Sequence, residues 1–156
     1  MNVRIYIPGE PKSVQSVRFT RQGFRYQPKE VREWKAYVSM MASTCLPQGF
    51  VPYQGGVTII KAIFAFALPK SAKKGIRKMV AEGLWVPKTS RPDLMDNLFK
   101  GVMDALTGIV WIDDSQICHA GEVRKIYTLE PHIEIIAGEY LCEGEEILSA
   151  KGRGCR

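Results

Sequence analysis

The stretch RPDLMDNLFKGVMDALTGIVWIDDSQI, residues 91–117, contains the clearest helical pattern of the chain and most of the candidate chemistry. A proline near its start, acidic residues in the first turn, apolar residues at helical spacing and a glycine in the C-cap position predict a helix over residues 92–108. On a helical wheel the apolar residues occupy one side, which can pack on a core. The other side carries four ionisable side chains, those of Asp93, Asp96, Lys100 and Asp104.

The acidic residues of this stretch have two interpretations. Near a helix N-terminus, Asp93 and Asp96 would interact favourably with the helix dipole or cap backbone N–H groups. That explanation does not extend to Asp113 and Asp114, which follow an apolar run into a segment predicted to be extended. Because neighbouring strand residues point to opposite faces, only one of these two should face the helix. Several carboxylates brought together are what Mg²⁺ requires, so the sequence predicts a magnesium site.

Elsewhere the sequence has the pattern of one α/β domain. Apolar residues at helical spacing predict a helix over 28–44, with Pro28 at its first position. Residues 70–91 are predicted to form a basic excursion with one short helix. The expected organisation is a single domain over residues 1–140, followed by a flexible tail over residues 141–156. Strand or extended patterns occur at residues 3–7, 57–68, 111–112, 115–127 and 132–136.

The net charge of +6 is unevenly distributed along the chain. Residues 1–92 contain sixteen Lys or Arg against four Asp or Glu, and residues 93–156 contain six against twelve. Basic residues interspersed with aromatic ones suit a polyanion, because each neutralised phosphate releases counterions; a solvated basic surface is the alternative. For Lys125 a charge that protects a sheet edge is an equally good explanation. The candidate nucleic-acid contacts are Arg18, Arg21, Arg25, Lys73, Lys74, Arg77 and Lys125.

Composition excludes several classes of protein. The four cysteines are scattered, without the dense spacing of a disulfide scaffold or a zinc site, and are expected to be free thiols. Residues 1–10 lack the unbroken apolar core of a signal peptide, and the most apolar later stretch, 59–68, is short and contains Lys61. We expect that the protein is neither secreted nor inserted into a membrane, and that it is located in the cytoplasm.

Three segments of the opening stretch resemble the RusA-like Holliday junction resolvases. The family pattern runs P-D-x-D-N-hydrophobic-x-K, then D-A-L-x-G, then W-x-D-D-x-Q-hydrophobic. The chain has P-D-L-M-D-N-L-F-K at 92–100, D-A-L-T-G at 104–108 and W-I-D-D-S-Q-I at 111–117. In one departure, two residues separate the first two aspartates where the family usually has one. The added residue is either absorbed at the helix start or displaces Asp93.

The resemblance implies a RusA-like α/β fold with a small mixed β-sheet flanked by helices. It places the family's essential carboxylates on Asp93, Asp96 and Asp114 and its catalytic-site lysine on Lys100. Asp113 is a further candidate metal ligand. The resemblance also implies Mg²⁺, with Mn²⁺ as a substitute, branched DNA as the substrate, a homodimer without a small-molecule cofactor, and a bacterial or phage origin.

The function expected from these observations is Mg²⁺-dependent cleavage of four-way DNA junctions by paired symmetric nicks, in recombination and repair. Lys100 would offset charge that develops on the phosphate or position the attacking water. Three alternatives remain open on the sequence alone: a branched-DNA-binding protein without catalysis, a nuclease of the same chemistry directed at a different nucleic acid, and a purely structural protein.

Overall fold

The computed structural model describes residues 1–14, 18–19, 21–22 and 25–140. The predicted flexible tail, residues 141–156, lies outside the described part of the chain. Among the described residues, no helix is both long enough and apolar enough to cross a bilayer.

Most of the strands belong to one mixed sheet. Its members are β1 (Val3–Pro8), β4 (Val57–Ala67), β5 (Val86–Pro87), β6 (Ile117–Thr128) and β7 (His132–Glu139). They lie in the order β1-β7-β4-β6-β5. β4 pairs in parallel with β6, and the other neighbouring pairs are antiparallel. Two short strands, β2 (Arg18–Phe19) and β3 (Arg25–Tyr26), pair as a separate hairpin. The predicted α/β fold with a small mixed sheet is confirmed.

Three α-helices accompany the sheet within the described ranges. They are α1 (Lys29–Cys45), α2 (Lys74–Ala81) and α3 (Lys100–Leu106), and a π-helical turn over Leu94–Phe99 leads directly into α3. The helix predicted over 28–44 is confirmed, except that Pro28 is its N-cap and not its first helical residue, because its ψ of 144° is extended. The basic excursion contains the expected short helix, α2, and also the short strand β5.

The core lies between one face of the sheet and the helices α1 and α3. β1 buries alternate residues, as its sequence predicts. β4 lies at the sheet centre, and its residues 62–66, all apolar, are buried in succession, so this part of the strand is covered on both faces. Trp111, which follows α3 in the chain, is fully buried against this core.

Candidate active site

The helix of the acidic stretch begins later than the sequence predicts. Asp93 is its N-cap, with an extended backbone (φ −67°, ψ 141°), and the first helical residue is Leu94. The helix opens with a π turn in which the N–H of Lys100 donates to the carbonyl oxygen of Met95, five residues back. A π turn accommodates one more residue than an α turn, and such turns often occur at functional sites. Leu94 and Met95, the two residues that separate Asp93 from Asp96, both lie in this π turn, so the turn has room for the residue by which this chain exceeds the family spacing.

The side chains of Asp93, Asp96 and Lys100 are exposed. Asp93 makes no capping hydrogen bond to the helix, so the capping interpretation does not hold for this carboxylate. Asp104 does not share their surroundings, although the helical wheel grouped it with them. Its carboxylate lies 3.2 Å from the Nζ of Lys35 on α1, in a half-buried ion pair that joins the two helices.

The second acidic pair lies at the start of a short 3₁₀ turn, Asp114–Gln116, where the sequence predicts an extended segment. Asp113 is the N-cap of this turn, and one of its carboxylate oxygens accepts a hydrogen bond of 2.9 Å from the N–H of Ser115. Hydrogen bonds from the hydroxyl and then the backbone of Ser115 lower the pKa of Asp113. Asp114, the neighbouring carboxylate, is exposed.

Gln116 fixes this turn, a role that sequence reasoning missed although the residue belongs to the quoted motif. Its Oε1 accepts from the N–H groups of Ile112 (2.8 Å) and Asp113 (2.9 Å). Its Nε2 donates to the carbonyl oxygens of Tyr53 (3.0 Å) and Gly55 (2.8 Å). One amide thus uses both of its donor hydrogens and its acceptor oxygen to connect the acidic turn to the segment that precedes β4.

Asp93 and Asp114 lie at opposite ends of the helix. The π turn and α3 together span thirteen residues, which at about 1.5 Å per residue is close to 20 Å. Asp93 precedes the first of these residues. Asp114 follows Trp111, which forms a bridge with Thr107 immediately after the last of them. Among the described residues, no three His, Cys, Asp or Glu side chains lie close enough together to hold a metal ion. A single chain therefore does not bring Asp114 to Asp93 and Asp96.

The length of β6 indicates the same separation between Asp93 and Asp114. Lys125, on β6, donates from Nζ to the carbonyl oxygen of Pro92, the residue before Asp93, at 2.6 Å. Asp114 lies before the first residue of β6, Ile117. Eight residue steps from Ile117 to Lys125, at about 3.3 Å each, correspond to roughly 25 Å along the strand. The two acidic elements thus lie toward opposite ends of β6 as well.

The candidate nucleic-acid contacts differ in their surroundings. Lys73 and Lys74, at the start of α2, and Arg21, in the β2–β3 turn, are exposed. Arg77 donates from its guanidinium to the carbonyl oxygens of Lys70 (2.6 Å) and Ala72 (3.0 Å), and so holds the turn before α2. Lys125 is half-buried and bonded to backbone carbonyl groups. The strands of Arg18 and Arg25 pair with each other, and the side chains of these two residues lie outside the described part of the structure.

The segment before the basic hairpin is attached close to Asp96. The N–H of Val14 donates to the carbonyl oxygen of Asn97 at 3.1 Å. The side chain of Val14 packs directly against Gly101, where a Cβ would overlap it. Val14, the last residue described before β2, therefore lies beside the helix that carries Asp96.

Known proteins resemble this chain over most of its length. The family model described as endodeoxyribonuclease RusA matches residues 8–136. A protein of Bacillus subtilis (strain 168), described as uncharacterized protein YqaN, is 33% identical over 114 residues, which are 72% of this chain and 76% of that protein. The family match includes both acidic elements, the π turn, all of β4, β5 and β6 and the first five residues of β7, but only the last residue of β1. The chain belongs to the RusA family of endodeoxyribonucleases.

Proposed function

We propose that the protein is a Mg²⁺-dependent endodeoxyribonuclease that resolves four-way DNA junctions by paired symmetric nicks and acts as a homodimer. The observation that carries the proposal is the position of its exposed carboxylates. Asp93 and Asp96 lie at one end of the helix and Asp114 at the other, so that one chain supplies two incomplete halves of an acidic site. In a twofold dimer each half can meet the complementary half of the second copy.

The residues available fit Mg²⁺. Its preferred ligands are hard oxygen atoms, and carboxylates supply them. The carboxylate of Asp93 is exposed and free of capping, and those of Asp96 and Asp114 are also exposed. We assign metal binding to Asp93 and Asp96 of one chain and to Asp114 of the partner subunit. Asp113 is the weaker candidate, because one of its oxygens already caps the 3₁₀ turn.

Under this proposal the bound metal, Lys100 and the exposed basic side chains have different roles in hydrolysis. A bound Mg²⁺ supplies an activated water and neutralises charge on the phosphate. Lys100, one helical turn after Asp96, places a positive charge beside the reacting phosphate and stabilises the charge that develops there. The exposed side chains of Arg21, Lys73 and Lys74 hold the DNA backbone by charge.

The test is cleavage of an end-labelled four-way junction in Mg²⁺ at fixed salt, with wild type, Asp96→Asn and Asp104→Asn. We expect paired symmetric nicks from the wild type and a loss of at least about 100-fold for Asp96→Asn, the upper end of what losing a ligand's supporting contact costs. Asp104→Asn is the matched control, since this aspartate of the same helix pairs with Lys35, and it should cleave normally.

Junction binding by the wild type without nicking, in Mg²⁺ and in Mn²⁺, would contradict the proposal and indicate a binding module. Nicking of flaps or replication forks in preference to the four-way junction, at the same salt, would retain the chemistry and contradict the substrate.

A further inference from the structure

Two half-buried lysines bind the segment that leads into Asp93. Lys125 on β6 donates from Nζ to the carbonyl oxygens of Ser90 (2.8 Å) and Pro92 (2.6 Å). Lys88 donates from Nζ to the Ser90 hydroxyl (2.5 Å) and to the carbonyl oxygen of Arg91 (2.7 Å). Three consecutive carbonyl groups, those of residues 90–92, thus receive hydrogen bonds from ammonium groups. We call Lys88 and Lys125 the lysine clamp.

The clamp acts directly on the backbone of Asp93. The Pro92 carbonyl that Lys125 binds belongs to the peptide group whose nitrogen is that of Asp93. A shift of this peptide therefore moves the Cα of Asp93. Because Asp93 is an N-cap with extended backbone and makes no capping hydrogen bond, the helix itself restrains its side chain little. The position of Asp93 therefore depends on the contacts that hold the peptide group before it.

Further contacts fix the positions of the two lysines themselves. The N–H of Lys88 donates to the carbonyl oxygen of Lys125 at 3.0 Å, which joins the two lysines through the backbone. The Lys88 ammonium lies 5.1 Å from the ring centroid of Phe66 and 5.6 Å from that of Tyr127, within cation–π range. An ammonium has three donor hydrogens, and at least two of them are used on each lysine.

We infer that Lys88 and Lys125 are positioning residues, which hold Asp93 where it can bind metal, and that Lys125 is not a DNA contact. The inference rests on the proposed function, because it assigns a purpose to the position of Asp93. A lysine that neutralises a phosphate contributes about 0.9 to the slope of log affinity against log salt concentration. Lys125, with two of its three donor hydrogens already bound to carbonyl groups, should contribute nothing to that slope. Its removal should instead weaken metal binding.

The experiment compares Lys125→Met with Lys74→Met, an exposed lysine on α2. Mn²⁺ binding without DNA is measured from the electron paramagnetic resonance of the free ion, and junction affinity is measured over a range of salt without metal. For Lys125→Met we expect Mn²⁺ affinity to fall by about 10–100-fold, as for other contacts that orient a metal ligand, with an unchanged salt slope. For Lys74→Met we expect the reverse: unchanged Mn²⁺ affinity and a slope smaller by about 0.9.

Lys88→Met is measured in parallel, with the same expectation as Lys125→Met, so that the clamp is tested even if one variant does not fold; thermal unfolding identifies such a variant. A smaller salt slope with unchanged Mn²⁺ affinity in Lys125→Met would overturn the inference and assign Lys125 to the DNA. Unchanged values of both quantities in the two clamp variants would overturn it as well. A wild type that neither binds Mn²⁺ nor cleaves DNA would instead overturn the proposed function.

Discussion

Asp93 and Asp114 are separated by the length of the helix that connects their two segments. They are twenty-one residues apart in sequence, and the π turn and α3 between them span about 20 Å. Tertiary contacts fix both ends: Lys125 binds the peptide before Asp93, and Gln116 anchors the turn that contains Asp114. Neither carboxylate can approach the other without unfolding the helix or losing these hydrogen bonds. The separation is therefore a fixed property of the chain.

Deletion of Met95 should convert the π turn into an α-helical turn. The side chain of Met95 is 53% exposed, so its removal loses little buried surface. After the deletion the carbonyl oxygen of Asp96, four residues before Lys100, takes the place of the Met95 carbonyl as the acceptor for the Lys100 N–H. We expect the free energy of unfolding to stay within about 1 kcal/mol of the wild-type value, measured by urea denaturation.

The control for this prediction is deletion of Val102, which lies in the regular α-helix and is fully buried. That deletion turns the following apolar residues away from the core by about 100° and should abolish cooperative unfolding. Equal damage from the two deletions would show that the π turn does not absorb the added residue.

Replacement of Gln116 by alanine should disorder the acidic turn. The substitution removes an acceptor for two N–H groups and a donor to two carbonyl groups. We expect a loss of about 1–3 kcal/mol in the free energy of unfolding and a lower cleavage rate at saturating junction, with little change in junction affinity. Ser115→Ala is the matched control, since it leaves all four of these hydrogen bonds in place. A Gln116→Ala protein of wild-type stability and rate would contradict the anchoring role.

Asp113 should make stability depend on pH in the acid range. The hydrogen bonds from Ser115 lower its folded-state pKa, so the carboxylate stabilises the fold above its unfolded-state pKa, and this contribution disappears as the pH falls through the lowered value. Asp113→Asn keeps a capping oxygen but does not ionise. The stability difference between wild type and Asp113→Asn should therefore be largest near neutral pH and shrink below about pH 4, measured by urea denaturation across pH. A difference that is constant with pH would contradict the assignment.

Local sequence patterns predicted the elements whose cause lies within a few residues. Three elements were predicted from such patterns: β1 from its alternation, β4 from its apolar run and α1 from its helical spacing. The structure confirms all three. The first turn of the acidic helix was not predictable in this way. Its π geometry accommodates an additional residue, and the apolar pattern of a helix does not distinguish a π turn from an α turn.

The roles of the aspartates depend on turns that the sequence did not indicate. From the sequence, helix capping was one interpretation for Asp93, which precedes a predicted helix, and was not expected for Asp113, which follows an apolar run. The structure reverses these roles, because the chain enters a 3₁₀ turn at Asp114 and leaves Asp93 without a capping bond. Lys125 illustrates a further limit. Its carbonyl partners lie 33 and 35 residues away in sequence, so no local pattern could identify them.

The most direct test of the central claim, that each active site combines two chains, uses mixed dimers of Asp96→Asn and Asp114→Asn. Each variant alone should be inactive. In a mixed dimer with sites shared between chains, one site has lost both carboxylates and the other retains Asp96 of one chain and Asp114 of the other. Mixed dimers purified through two different tags should therefore nick the junction in Mg²⁺, once per dimer and without the paired second nick. Inactive mixed dimers would show that each site lies within one chain and would contradict the claim.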